Sequence, residues 1–192
     1  MKKESTLMYI LRLTVTLLAI CAVVALALAG VNTITKDRIA AVKAEKTQKA
    51  IQAVLPQAGN VVEASTFADE TGMVTKVYTA SLGNTAAFYG YAVEVAPNGF
   101  GGAITMMVGV SAEGQVLGIS VISHAETPGL GAVAAANTDK GVFFRDQFAG
   151  LVSGITIGSG DNQISAISGA TISSQAIVDG VNAALECVKK LG

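Results

Sequence analysis

Residues 89–110 read YGYAVEVAPNGFGGAITMMVGV, and this stretch decides the fold. Tyr91, Val93 and Val95 alternate with Ala92, Glu94 and Ala96, the period of two that sends successive side chains to opposite faces of a strand. Pro97, Asn98, Gly99, Phe100, Gly101 and Gly102 follow. Proline fixes one backbone angle and glycine reaches angles closed to other residues, so these six form a turn. A second apolar run fills residues 103–110. Working outward, residues 74–80 read as a preceding strand. Ala112, Glu113, Gly114 and Gln115 lead into another at 116–123. Strands of this length with turns between them predict an antiparallel meander.

Beyond the meander, helical segments are predicted near residues 132–137 and 142–148, and short strands near 155–157 and 164–167. A last helix over residues 173–191 has an apolar line through Ile177, Val181, Leu185 and Val188, the spacing of one helical face. Before the meander, residues 36–55 read as a charged helix with an apolar line through Ile39, Val42, Ala50 and Val54. It stops ahead of Pro56, because the residue before a proline is pushed out of the helical region. From residue 61 the texture turns to short strand-like runs broken by glycine. Strands and helices without strict alternation predict an α+β fold.

Hydrophobic residues make up 51% of the 192, concentrated before residue 36. Residues 13–35 carry no charge. As a helix they would span ~35 Å, enough for a hydrocarbon core of about 30 Å. Two readings compete. Ala27, Leu28 and Ala29 give the small-x-small pattern of a signal-peptidase site, but the apolar run is longer than a usual signal core and continues past it, which favours an uncleaved anchor. Lys2, Lys3 and Arg12 precede the run, and Lys36, Arg38, Lys43, Lys46 and Lys49 follow it. Positive charge on both sides leaves orientation undetermined. The organisation expected is a short tail at 1–12, a transmembrane helix at 13–35, a helical stalk at 36–56 and one domain at 57–192.

The net charge of −1 and an aromatic content of 5% without tryptophan argue against nucleic acid, which calls for a basic footprint and stacking platforms. Cys21 and Cys187 offer neither a disulfide framework nor a C-x-x-C pair. A single histidine, His124, leaves no transition-metal set. Gly129, Gly131 and Ala134 match a loose dinucleotide-binding pattern, but Pro128 rather than a strand precedes it, and no acidic residue lies about twenty positions on.

Two segments stand out. Ser168, Gly169, Ala170, Thr171, Ile172, Ser173 and Ser174 precede the last helix. Hydroxyl residues there serve as N-caps, accepting free backbone N–H groups. The same free donors, with the positive end of the helix dipole, suit a phosphate, and small Gly169 and Ala170 would leave the Thr171 hydroxyl approachable. Spacing alone leaves both readings open. The second segment is Ser123, His124, Ala125, Glu126, Thr127, Pro128, Gly129, Leu130 and Gly131; by itself it reads as a loop with a Pro-Gly turn.

Together with the leading apolar helix, the Gly90-Tyr91 strand and the 99–102 turn, these segments occur in an order that resembles RnfG, the FMN-binding G subunit of Rnf electron-transport complexes. More distantly, the chain is similar to the C subunit of the sodium-translocating NADH:quinone reductase. The resemblance covers essentially the whole chain. It implies that residues 57–192 form an FMN-binding domain, with FMN esterified through its phosphate to Thr171 by a flavin transferase. Ser168, Gly169, Ala170, Ser173 and Ser174 would surround the attachment point. Glu126, Thr127, Gly129 and Leu130 would lie near the flavin ring.

It also implies an electron carrier in a ferredoxin:NAD oxidoreductase that moves Na⁺ or H⁺. Membrane subunits of the A, D and E types and the lipid bilayer would be its partners. The tail would lie in the cytoplasm and the domain outside. The chain departs from the family at Ser165, where the motif carries aspartate. A flavin-free anchored binding or assembly module is the alternative from another class.

Overall fold

The computed structural model describes residues 6–83, 85 and 87–191. Lys2 and Lys3, read above as part of the tail, lie outside the described residues. The chain divides into two compact units, Met1–Glu45 and Lys46–Gly192.

All of the described first unit belongs to helix α1, Thr6–Val54. Among the described residues it is the one helix long and apolar enough to cross a membrane. Over residues 13–35 its leucines and valines are exposed; Leu17 is 65% and Leu26 73% accessible. That segment is apolar all round and has no cover among the described residues, as a helix in an apolar solvent would be. The hydroxyls of Thr14, Thr16, Thr33 and Thr35 donate to the carbonyls of Ile10, Arg12, Ala29 and Val31 at 2.7–2.9 Å. These four hydroxyls are thus satisfied within the helix, as burial in hydrocarbon favours.

In the second unit, five of the described strands form one antiparallel sheet in sequence order: β1 (Ala58–Glu63), β2 (Val74–Leu82), β3 (Phe88–Val95), β4 (Thr105–Ser111) and β5 (Val116–Ser123). The predicted meander is this sheet. Tyr91 pairs with Val110, Val93 with Val108 and Val95 with Met106, so β3 and β4 run either side of the 97–102 turn. β1 has no counterpart in the reading above, because Gly59 and Asn60 mask its strand character.

The sheet is covered on both faces, which explains why β4 is a continuous apolar run rather than an alternating one. Val93, Val95, Met106, Val108 and Val110 face the final helix α3, Thr171–Lys189, and pack in one core with Ile177, Val178, Val181 and Leu185. Ala80, Ala92 and Met107 meet Ala50, Ile51, Val54 and Leu55 in a second core. The last turns of the predicted stalk are therefore core. Gly109 permits this approach: a Cβ there would lie 2.6 Å from the Val54 carbonyl oxygen.

Between β5 and α3 the chain forms a 3-10 helix at Gly131–Ala135 and helix α2, Asp139–Asp146. Thr138 caps α2 by accepting the Gly141 N–H. β6 (Thr156–Ile157) and β7 (Gln163–Ile164) form a short parallel pair. The architecture is α+β.

Candidate functional site

α3 begins two residues before the predicted start, so Thr171 is its first helical residue and Ala170 its N-cap, without a side-chain capping bond. The serines that looked like caps turn inward. The fully buried Ser174 hydroxyl accepts from Ile167 N at 3.0 Å and donates to the Ala170 carbonyl at 2.9 Å. That pair of bonds folds the 167–170 segment back onto the helix. The Ser173 hydroxyl, also buried, donates to Glu126 Oε2.

Three backbone donors remain. The amides of Thr171, Ile172 and Ser173 have no acceptor among the described residues, and the first bond of the turn is Ser174 N to the Ala170 carbonyl, 2.9 Å. Thr171 is exposed, as are Ser168, Gly169 and Ile172. The hydroxyls of Ser173 and Ser174 are committed within the protein, and that of Thr171 has no partner among the described residues. The capping reading of this segment gives way to one in which the helix start is left open.

The second segment meets the first. Glu126 is 6% exposed. Its Oε1 accepts from Gly101 N at 2.9 Å, its Oε2 receives the Ser173 hydroxyl, and its own N–H donates to His124 Nδ1 at 3.2 Å. One carboxylate thus joins the 99–102 turn, the 123–131 loop and the first turn of α3. Thr127 is exposed, and its carbonyl accepts the N–H groups of Leu130 and Ala132 at 3.2 and 3.3 Å, which curls the loop into the 3-10 helix. Leu130, 43% exposed, lies over Gly169: a Cβ on Gly169 would sit 3.2 Å from Leu130 Cδ2. Gly169 itself has φ +75°, a conformation that side chains with a Cβ resist.

Beside this junction lies a cavity of about 390 Å³, with Gly129 and Ser168 on its edge. Val133, Phe143, Phe144 and Ile167 give it an apolar lining, and Lys140, Asp139, Gln147 and Ser165 add polar groups. That volume falls within the range of small-molecule sites. Lys140 has no ion-pair partner among the described residues. Gln147 holds the Ser165 backbone from both sides, accepting its N–H at 2.8 Å and donating to its carbonyl at 3.2 Å.

Sequence reasoning passes over the contribution of α2; its signal is the adjacent aromatic pair Phe143 and Phe144, one exposed and one buried. The residues present fit a phosphate-bearing, partly apolar cofactor: three unpaired donors and a free hydroxyl stand next to an apolar recess with a lysine.

Comparison with known proteins agrees with this chemistry. The model of the FMN-binding domain matches residues 99–186, and that of the RnfG N-terminal region matches residues 1–54. The G subunit of the ion-translocating oxidoreductase complex of Methanosarcina acetivorans is 34% identical over 182 residues, covering 93% of this chain and 94% of that protein. The G subunit of the Na(+)-translocating ferredoxin:NAD(+) oxidoreductase complex of Acetobacterium woodii is 34% identical over 201 residues, covering 95% and 93%. The G subunit of the proton-translocating ferredoxin:NAD(+) oxidoreductase complex of Clostridium ljungdahlii is 40% identical over 111 residues, covering 58% of each.

Proposed function

The chain belongs to the RnfG family, the G subunits of Rnf-type ion-translocating oxidoreductase complexes, and from that membership we propose a membrane-anchored electron carrier whose FMN is esterified to Thr171. The observation that carries the site is the contrast at the start of α3: the Thr171 hydroxyl is exposed and uncommitted above three unpaired amides, while Ser173 and Ser174 are tied inward. A phosphodiester keeps one negative charge, and a helix N-terminus stabilises it through those donors and its dipole.

In the attachment step the Thr171 oxygen forms the new bond to the FMN phosphorus of FAD. The pyrophosphate bond breaks, AMP leaves, and the hydroxyl proton passes to a base of the transferase. Gly169 and Ala170 leave room for that enzyme around the oxygen. Leu130, Val133 and Phe143 would supply apolar surface for the ring, with Gly129 and Ser168 at the edge of the recess and Lys140 as its nearby cation. Bound there, FMN supplies one- and two-electron redox chemistry, and the protein contributes placement and electrostatics. A covalent tether suits a domain outside the cytoplasm, where a lost cofactor has no ready replacement.

As a member of this family the chain is one subunit of a larger assembly anchored in a membrane. The finer arrangement we assign is an N-terminal tail in the cytoplasm, a span at 13–35, a stalk at 36–56 whose last turns are built into the domain's core, and the domain at 57–192 on the outer side. On this reading, electrons pass to and from membrane subunits of the A, D and E types. Two relatives are named for sodium and for proton translocation respectively, and the described residues of this chain offer a single span, so ion movement falls to the partners.

Thr171→Ala tests the attachment. After denaturing electrophoresis of protein from a host containing the transferase, the wild-type band should fluoresce under ultraviolet light and the variant should be dark. A fluorescent variant would place the flavin elsewhere.

A further inference from the structure

Glu126 is a buried carboxylate with no cationic partner among the described residues. Burying such a group is costly unless its oxygens are hydrogen-bonded, and here both are, by Gly101 N and the Ser173 hydroxyl. The space around it is shaped for those two oxygens. At Gly99 a Cβ would lie 2.5 Å from Oε1, and at Gly131 it would strike both Oε2 and the Ser173 oxygen. The 99–102 turn, the start of the 3-10 helix and the first turn of α3 therefore converge on one side chain.

We propose that Glu126 is a positioning residue for cofactor attachment rather than a ring contact: by holding Ser173 it fixes the rotation of the first turn of α3, and so the outward aim of Thr171. Ser173 lies two positions after Thr171, about 200° around the helix. The side that Glu126 grips is thus nearly opposite the side that carries the modified hydroxyl. The same grip sets the path of the 127–131 loop and hence the height of Leu130 over Gly169. Aspartate at this position keeps the charge but is one methylene short of reaching both donors. Glutamine keeps the length: its oxygen can accept from Gly101 N and its amide can donate to the Ser173 oxygen.

This role rests on Thr171 being the attachment point, and the test separates the two claims. Full-length wild type, Glu126→Asp, Glu126→Gln and Ser173→Ala are incubated in detergent with FAD and an FMN transferase, and incorporation is followed by intact mass. Amide hydrogen exchange is measured on the unmodified proteins. Glu126→Asp and Ser173→Ala should slow incorporation by about tenfold or more, toward the roughly hundredfold cost of misplacing a reacting group by about 1 Å. Exchange should rise at the hydrogen-bonded amides of Gly101, Leu130, Ala132 and Ser174 while β3 and β4 stay protected, and Glu126→Gln should keep both readouts near wild type.

Three results overturn the proposal: Glu126→Asp incorporating at the wild-type rate, Glu126→Gln behaving like Glu126→Asp, or exchange rising through the whole sheet. Wild type that takes up no flavin sinks the attachment claim instead, and the role given to Glu126 with it, even where the exchange pattern is found.

Discussion

Gly131 faces the Glu126–Ser173 contact with no side chain of its own, so alanine there has nowhere to go without moving one partner. Gly131→Ala should lower stability by about 1–3 kcal/mol, the usual cost of overpacking a close contact, read as a shift in urea midpoint at unchanged slope. Asp69 carries a different kind of prediction. Burial raises its pKa, but bonds from the Thr71 hydroxyl and from the Val74, Thr71 and Gly72 amides outweigh that and hold it below its ordinary 3.8. A carboxylate with a depressed folded pKa adds stability above its unfolded pKa, and that stability is lost as pH falls through the folded value. The destabilisation caused by Asp69→Asn should therefore be largest near neutral pH and shrink below about pH 4, checked by denaturant titrations across that range.

Elements differ in how openly the sequence shows them. β3 alternates, and β4 is recognisable as a strand from its length and the glycine turn before it; its continuous apolar run fits cover on both faces, but what covers each face depends on the chain's path. β1 is hidden by Gly59 and Asn60, and only its pairing with β2 makes it a strand. α3 starts two residues earlier than its serines suggest, because Ser173 and Ser174 are not caps but are used across the fold and within the 167–174 turn. Local chemistry identifies a helix start; tertiary partners decide which hydroxyl is left free.

The same asymmetry applies to the site. The 168–174 segment and the 123–131 loop are visible as motifs, but their meeting through Glu126 and the part played by α2 depend on the chain's path. At this scale Ile177, fully buried where α3 meets the sheet, probes the main core. Ile177→Ala should cost about 2–5 kcal/mol through lost burial and the cavity left behind, seen in chemical denaturation.

For the whole molecule, helix α1 sets where the chemistry happens. Its apolar surface over 13–35 has no cover within the described chain, and family membership makes the chain a membrane-anchored subunit. Orientation has its own test. A cysteine placed in the Asn98–Gly101 turn should react in intact cells with a membrane-impermeant thiol reagent, with buried Cys187 as the internal background control; labelling only after the membrane is opened would put the domain on the cytoplasmic side. The central claim is that Thr171 carries the flavin, and intact mass tests it most directly. Protein from a host with the transferase should be heavier than its sequence by one FMN less one water, and Thr171→Ala should match its sequence mass. An unmodified wild type, or an adduct that persists in Thr171→Ala, would contradict that claim.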